Sequence, residues 1–489
     1  MKLALSRKNL WEHLPASLKP VVGSVCRSLP AQYLLGRHFR RTRGFLQDSE
    51  WWPAERAQAF QLDQLRRILA IAHERTAFYR RTFSTAGFDP RDLRSIDDLV
   101  HLPTIDRQTV STHLGEMCAT PSRSTNVDYT STGGSSGPPL GFYIGSERSG
   151  IEYAYLVTGW ERAGFRLGIP LASLRGRLVQ ADASGLHHEY DPLLRHHYYS
   201  NLHLTDDNAH RYLKHIAGIG PCFLHLYPSS AAALANFVRR TGIQPPSNVR
   251  GILAGSENVY PEQRRVVTAT LNYRYFSWYG LTEKVVLAAE CEHSDRYHVW
   301  PTYGLFELLD DDGLPITTPG RRGEIVGTGF INTVVPFIRY RTGDYATYVA
   351  DHCPECKRAH PIISDIRGHR IQEVLVARDG SLITWTAINV HDDTFDRILH
   401  FQLYQDTPGR AVLRIVPANG FGPVDRNRLL NRINRKLKDR LEVALHLVDS
   451  IPLTRAGKVV YVDQRIAAAM ISDLSRELEP DSDTRSAAS

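Results

Sequence analysis

Between positions 133 and 139 the chain reads Gly-Gly-Ser-Ser-Gly-Pro-Pro. Glycines and hydroxyls at this density can cradle an anion on backbone N–H groups or hold a nucleophilic serine. Gly133 to Gly137 fit G-x-S-x-G, the nucleophile elbow of hydrolases. They do not fit G-x-x-x-x-G-K-[ST], because no lysine follows the glycines. An elbow serine needs a helix directly behind it. Here Pro138 and Pro139 follow at once, and Leu140-Gly141-Phe142-Tyr143-Ile144 then alternates like a strand. A strand–loop–strand arrangement points N–H groups and hydroxyls into a concavity suited to an anion. No His/Asp pair completes a triad, so the anion loop is the preferred reading.

Three further stretches carry chemistry. Tyr279-Gly280-Leu281-Thr282-Glu283 and Tyr340-Arg341-Thr342-Gly343-Asp344 each join an aromatic ring, a glycine turn, a hydroxyl and an acid. Pro452 to Tyr461 sets Lys458 on a glycine turn entering a strand. In this order, after the loop at 133–139, these stretches resemble the adenylate-forming superfamily of acyl- and aryl-CoA ligases. Within it they are most similar to the phenylacetate–CoA ligase-like branch, which includes members from capsular-polysaccharide gene clusters. Supporting pieces are Leu226-Tyr227-Pro228-Ser229, Gly255-Ser256-Glu257, and Gly323 leading through Asn332 and Pro336 to Arg339-Tyr340. The resemblance runs from about residue 60 to 465, and the ordered set is far more specific than any one motif.

The resemblance implies ATP-dependent activation of a carboxylic acid as acyl-AMP with release of pyrophosphate, then acyl transfer to coenzyme A. The alternative acceptor is an amine or a sugar in polysaccharide assembly. Joining a carboxylate to AMP brings two anions together, so charge must be neutralised where it develops. By resemblance, Gly134, Ser135, Ser136 and Gly137 hold the β- and γ-phosphates and Thr282 meets the α-phosphate. Glu283 ligates Mg²⁺, a hard cation that prefers oxygen. Tyr279 and Gly280 offer a face to adenine, with Gly255, Ser256 and Glu257 lining that side. Asp344 suits the ribose hydroxyls, because a carboxylate accepts several hydrogen bonds. Lys458 bridges the substrate carboxylate and the α-phosphate as a point charge. The lysine that often follows the loop's proline is absent. The family's Gly-Arg hinge reads Gly368-His369-Arg370 here, which assigns the nucleotide contact to Arg370, with Arg367 its competitor. For the acid, Tyr227, His225 and Trp300 point to an aromatic or apolar pocket.

A second constellation is Cys353-Pro354-Glu355-Cys356, with Cys291 and His298 upstream. A C-x-x-C pair fits a zinc knuckle, and two more soft ligands would close a tetrahedral structural site. Relatives in this branch carry Cys…His…Cys-x-Cys at matching places, which implies Cys291, His298, Cys353 and Cys356 as Zn²⁺ ligands. His293 competes for the fourth place, and free or redox-active thiols are the alternative. His187, His188, His196 and His197 form a further cluster with nothing at metal spacing beside it, and read as loop or cleft histidines.

The elements around these sites follow from periodicity. Leu62, Leu65, Ile68, Leu69 and Ala72 lie at helical spacing in a lead-in that spans about residues 1–120. From Tyr129 to Val349 strands and helices alternate, with strands over Leu174–Val179, Phe223–Tyr227 and Gly251–Ala254, a helix over Ala231–Arg240, and strands starting at Gly323 and Pro336. Such alternation argues for an α/β fold with parallel sheet. Leu429, Leu430, Ile433, Leu437 and Leu441 mark one face of a later helix. The expected organisation is α/β: a large multi-layer adenylation domain over 1–365, a hinge at 366–373, a small mobile α+β domain over 374–470, and a polar, disordered tail over 471–489.

A chain of 489 residues exceeds one compact core. Its 42% hydrophobic and 23% charged content exclude wholesale disorder. A net charge of +7 is spread thinly, and no basic cluster interleaves with aromatics, so nucleic acid is not an expected partner. No apolar run reaches the ~18 residues of a membrane span, and the N-terminus lacks a signal peptide's apolar core. Six cysteines in so long a chain are no disulfide framework, so a reducing cytoplasm is expected. Leu14 to Leu35 fits an amphipathic surface helix, with peripheral membrane contact as its second reading. Two other functions compete. A serine hydrolase is opposed by Pro138-Pro139, and a non-catalytic adenylate-binding or zinc-stabilised scaffold by the joint presence of Glu283, Asp344 and Lys458.

Overall fold

A computed structural model describes residues 29–132, 140–177, 179–192, 194–259, 261–368, 374–384, 397–417, 420–451 and 462–466, with 22, 388 and 394. Gly133–Pro139, Arg370, Lys458 and the tail therefore lie outside the described residues. Among the described residues no helix is long and apolar enough to cross a membrane.

The lead-in is helical: α1 (Gly36–Ser49), α2 (Ala54–Arg75), α3 (Ala77–Thr85) and α4 (Arg107–Met117). In α2, Leu65, Ile68, Leu69 and Ala72 are fully buried, as their spacing predicts. Next come β1 (Val127–Ser131) and β2 (Gly141–Gly145), an antiparallel hairpin, then α5 (Arg148–Glu161). The chain after residues 133–139 thus continues as a strand that pairs back, which removes the helix an elbow serine needs.

Strands β3 (Leu171–Leu174), β4 (His188–Asp191) and β5 (His196–Tyr199) follow, then α6 (Asp206–Ala217), β6 (Cys222–Leu226), α7 (Pro228–Thr241), β7 (Val249–Gly255), α8 (Pro261–Leu271) and β8 (Tyr275–Gly280). The strands β5, β3, β6, β7 and β8 run parallel in that order. Buried side chains alternate between two cores. Ala172, Leu224, Leu226, Ile252 and Ala254 face α6, α7 and α8. Leu171, Phe223, Leu253 and Phe276 face α1 and α5. A sheet covered on both faces demands this near-continuous apolar run, and these strands have it.

Antiparallel strands extend the sheet: β9 (Leu287–Glu290), β10 (Tyr297–Val299), β11 (Gly304–Leu309), β12 (Arg322–Gly329), β13 (Tyr340–Ala350) and β14 (Ile362–Gly368). The full order is β11-β12-β13-β14-β10-β9-β8-β7-β6-β3-β5-β4. Pro336 to Ile338 are not strand, contrary to expectation. The Tyr79 hydroxyl donates to Pro336 O (2.9 Å) and accepts from Ile338 N (3.3 Å), while Phe337 O accepts from Gly329 N at the end of β12 (3.0 Å), so the backbone is satisfied without regular strand pairing.

Residues 366–368 still belong to β14. Beyond them lie β15 (Val374–Val376), β16 (Leu382–Thr384), β17 (Ile398–Thr407), β18 (Arg410–Pro417), α9 (Pro423–Leu437), β19 (Glu442–Leu447) and β20 (Val462–Gln464). Four of these strands form a sheet in the order β19-β18-β17-β20 around a core of their own, with Leu429, Ile433 and Leu437 of α9 upon it. Leu441 shares that core, but from extended chain beyond the helix end.

Candidate active site

The hairpin β1–β2 fixes the stem of the 133–139 loop. Thr132 N donates to Leu140 O, and Leu140 N donates to Thr132 Oγ1, both at 3.0 Å. Arg107 Nη2 donates to the same hydroxyl at 2.8 Å. The loop itself lies outside the described residues.

The two acid-bearing motifs meet across the sheet. Tyr279 and Gly280 end β8, and Thr282-Glu283 follow in the turn, with Lys284 at φ 61°. Tyr340 and Asp344 lie on β13, where Gly343 takes φ 73° beside a register shift in the pairing with β12. The Tyr279 hydroxyl donates to Asp344 Oδ2 at 2.9 Å, and the Tyr340 hydroxyl donates to Glu283 Oε1 at 3.0 Å. Each motif's tyrosine therefore holds the other motif's carboxylate. Both acids are nearly buried, and one accepted bond leaves each carboxylate with further acceptor capacity. Asp344 N also donates to Thr342 Oγ1, fixing the turn.

Gly255 closes β7. A Cβ there would sit 2.6 Å from the Trp278 indole, so only glycine lets these strand ends approach. Ser256 follows at φ 69° and accepts from Arg175 Nη2. Arg175 also contacts His225 Nε2 at 2.6 Å, and its guanidinium lies 4.9 Å from the Tyr227 ring centre and 5.2 Å from that of Trp278. Burial and the adjacent Arg175 hold the His225 imidazole well below its usual value, so it stays neutral and accepts from the guanidinium. Tyr227 and His225 thus share an aromatic cluster that Arg175 lines. Trp300 does not join it. It is fully buried against Tyr155 and His360, with Arg162 over its face. Arg175 and Trp278 went unread in the sequence. No motif surrounds them, and only the parallel order of β3, β6, β7 and β8 brings them together.

The four sulfur and imidazole residues converge. The ligand atoms of Cys291, His298, Cys353 and Cys356 all lie within 4.8 Å of one another, and all four residues are buried. Cys291 follows β9, His298 sits in β10 paired with β9, and the Cys353–Cys356 turn lies between β13 and β14. Cys356 N donates to Cys353 Sγ, Lys357 takes φ 69°, and Cys353 N bonds Arg358 O, which is the tight turn a knuckle needs. His298 Nε2 is buried without a hydrogen-bond partner. His293 is exposed and stands outside the group. Three thiols and an imidazole whose Nε2 has no partner, in so small a volume, match the donor set of a closed zinc site.

Beside this turn lies an ion network. Glu50 Oε1 accepts from Arg162 (3.0 Å) and from Arg358 (2.7 Å), and Arg358 also pairs with Glu292 at 2.7 Å. No local pattern announces it, since Glu50 and Arg358 stand 308 residues apart.

Of the four histidines at 187–197, His188 and His197 meet a third from α6, His215, with ring nitrogens within 4.8 Å of one another. His187 stacks on His203 instead, and His196 bonds the Tyr198 hydroxyl.

Residues 375–465 match the family described as CapK C-terminal domain. Along nearly its whole length the chain is similar to phenylacetate-coenzyme A ligase of Thermus thermophilus, 25% identical over 84% of this chain and 97% of that protein. Protein CapK of Staphylococcus aureus is 22% identical over 67% of this chain and 72% of its own length. Among solved structures, 2-hydroxyisobutyryl-CoA ligase in complex with 2-HIB-AMP and CoA superposes with a TM-score of 0.55. That match has 21% identity and covers 88% of this chain and 94% of the other. The relatives and the fold are therefore those of the adenylate-forming CoA ligases that the ordered motifs resemble.

Proposed function

We propose that this chain is an ATP-dependent adenylate-forming ligase that activates a carboxylic acid and passes the acyl group to coenzyme A. The observation that carries the reading is the reciprocal hold of Tyr279 on Asp344 and Tyr340 on Glu283. It presents two preset carboxylates from two motifs, as one nucleotide with its metal requires.

In the first step a substrate carboxylate oxygen attacks the α-phosphorus and pyrophosphate leaves. Gly134, Ser135, Ser136 and Gly137 bind the β- and γ-phosphates, on a loop whose stem Thr132 and Leu140 pin. Thr282 donates to the α-phosphate, and Lys458 offsets the charge that develops between the two anions. Glu283 would hold Mg²⁺, which would neutralise phosphate charge. Asp344 accepts from the ribose, Arg370 reaches the nucleotide from the hinge, and Gly255-Ser256-Glu257 with Tyr279 and Gly280 line the adenine. The acid lies toward Tyr227, His225 and Arg175, a wall suited to an aromatic or hydroxylated acyl group. In the second step the thiol sulfur attacks the acyl carbon and AMP leaves, while the thiol proton passes to solvent.

We assign 1–365 to the nucleotide-binding domain, 366–373 to the hinge and 374–470 to a domain that rotates between steps. The related 2-hydroxyisobutyryl-CoA ligase is known in postadenylation and thioesterification states, which supports such a rotation. Cys291, His298, Cys353 and Cys356 would hold a structural Zn²⁺. A second reading of the acceptor alone, an amine or a sugar hydroxyl in place of the thiol, rests on the resemblance of the ordered motifs to members from capsular-polysaccharide gene clusters.

The test is ATP–pyrophosphate exchange over a panel of carboxylic acids, followed by product analysis with coenzyme A, amine and sugar acceptors. Exchange that depends on one acid class supports the reading. Its absence with every acid, in protein shown to be folded, overturns it.

A further inference from the structure

We propose that His188, His197 and His215 form a separate site for a divalent late transition-metal ion, at the opposite edge of the sheet from β11. The β4–β5 hairpin sets up two of the three ligands. His188 pairs with Tyr199 and Tyr190 with His197, so the two histidines are diagonal neighbours on one face, close enough to share a ligand. His188 Nε2 lies 3.0 Å from His197 Nδ1. His215, in the last turn of α6, covers the same face, its ring centre 4.3 Å from that of His188.

Orientation comes from a neighbour. Tyr199 OH lies 2.7 Å from His215 Nδ1, and Tyr199 is fully buried. That bond fixes the ring and leaves Nε2 as the ligating nitrogen, the arrangement by which outer hydrogen bonds set metal-binding imidazoles. Three imidazoles and no thiolate suit Zn²⁺, Co²⁺, Ni²⁺ or Cu²⁺ rather than Mg²⁺ or Ca²⁺. Three protein ligands also leave a tetrahedral ion one position open. Beside the cluster lies a cavity of about 800 Å³ lined in part by Tyr190, His197, Arg211, Lys214 and His215. The site shares no donor with the cysteine cluster and does not depend on the reaction proposed above.

The experiment is zinc binding to the full chain, stripped with a chelator, reloaded with Zn²⁺ and desalted. Wild-type protein should retain about one zinc more per chain than His197→Gln or His215→Gln, as one three-ligand site requires. His187→Gln, on a ring that stacks elsewhere, should match wild type. Tyr199→Phe keeps the ring but loses the hydroxyl, and should weaken this zinc by about 10- to 100-fold. Co²⁺ tells the sites apart, because thiolate ligation adds near-ultraviolet charge-transfer absorption and imidazole does not. The His variants should lose the imidazole site's share of the visible cobalt absorption and keep any thiolate band. Circular dichroism identifies a variant that has not folded, and the Tyr199→Phe affinity then stands as the independent reading. Equal zinc in wild type and both His variants, or unchanged affinity in Tyr199→Phe, overturns the site.

Discussion

The Tyr279 hydroxyl bonds Asp344 Oδ2 at 2.9 Å, although β14, β10 and β9 lie between their strands in the sheet. The bond aims a nearly buried carboxylate before any nucleotide arrives. Tyr279→Phe keeps the ring proposed to face adenine and removes only the donor. A hydrogen bond to a charged group contributes about 1.5–3 kcal/mol. The KM for ATP in pyrophosphate exchange should therefore rise about tenfold or more. The kcat should change less, because the α-phosphate contacts are untouched. An unchanged KM would mean that Asp344 is held without Tyr279.

Lys458 tests the chemical step. If it offsets charge at the α-phosphate, Lys458→Ala should reduce exchange by about a hundredfold or more, on the scale of a lost electrostatic catalyst. ATP affinity, measured by calorimetry, should fall far less, since the nucleotide contacts are assigned to the large domain. Exchange at the wild-type rate would remove Lys458 from the mechanism.

Local patterns made much of the fold legible. The alternation after Pro139 announced a strand, and the succession of strands and helices around 223–227 and 251–254 announced a parallel sheet. The spacing of Leu65, Ile68 and Leu69 announced a helix. What stayed hidden was set by strand order. Arg175 reaches His225 and Ser256 only because β3, β6 and β7 are neighbours. His215 joins His188 and His197 only because α6 packs over the hairpin's face. Pro336 does not start a strand, and its carbonyl is served by a tyrosine hydroxyl 257 residues away in sequence. A motif records what a segment can do. Its partner is chosen by topology.

The cysteine cluster predicts a coupled loss. Cys291 and His298 come from one strand pair and Cys353 and Cys356 from a turn some sixty residues on, so a shared ion would staple them. Cys353→Ser should lower the zinc content by about one per chain and the Tm together, while the folded fraction still exchanges pyrophosphate. Full zinc content in a Cys353→Ser/Cys356→Ser protein would place the metal elsewhere, with the three histidines next. Metal-free protein of unchanged Tm would leave these cysteines as ordinary thiols.

Glu50 should matter more to stability than any surface ion pair nearby. Its carboxylate faces two guanidiniums whose side chains are only 1% and 4% exposed, Arg162 and Arg358. Arg358 keeps Glu292 as a second partner, whereas the carboxylate that Arg162 pairs with is that of Glu50. Removing one member of a buried network strands charge that water cannot reach, at a cost of about 3–5 kcal/mol. Asp48 offers the control two residues away. It pairs with Arg56 on the surface, where both side chains are more than half exposed. Such a pair contributes about 1 kcal/mol or less. Glu50→Gln should therefore shift the urea midpoint several times further than Asp48→Asn. Because Arg358 also closes the Cys353 turn through its backbone carbonyl, Glu50→Gln should loosen zinc retention as well, and Asp48→Asn should not. Equal midpoints for the two variants would show that the network tolerates the loss of its central acid.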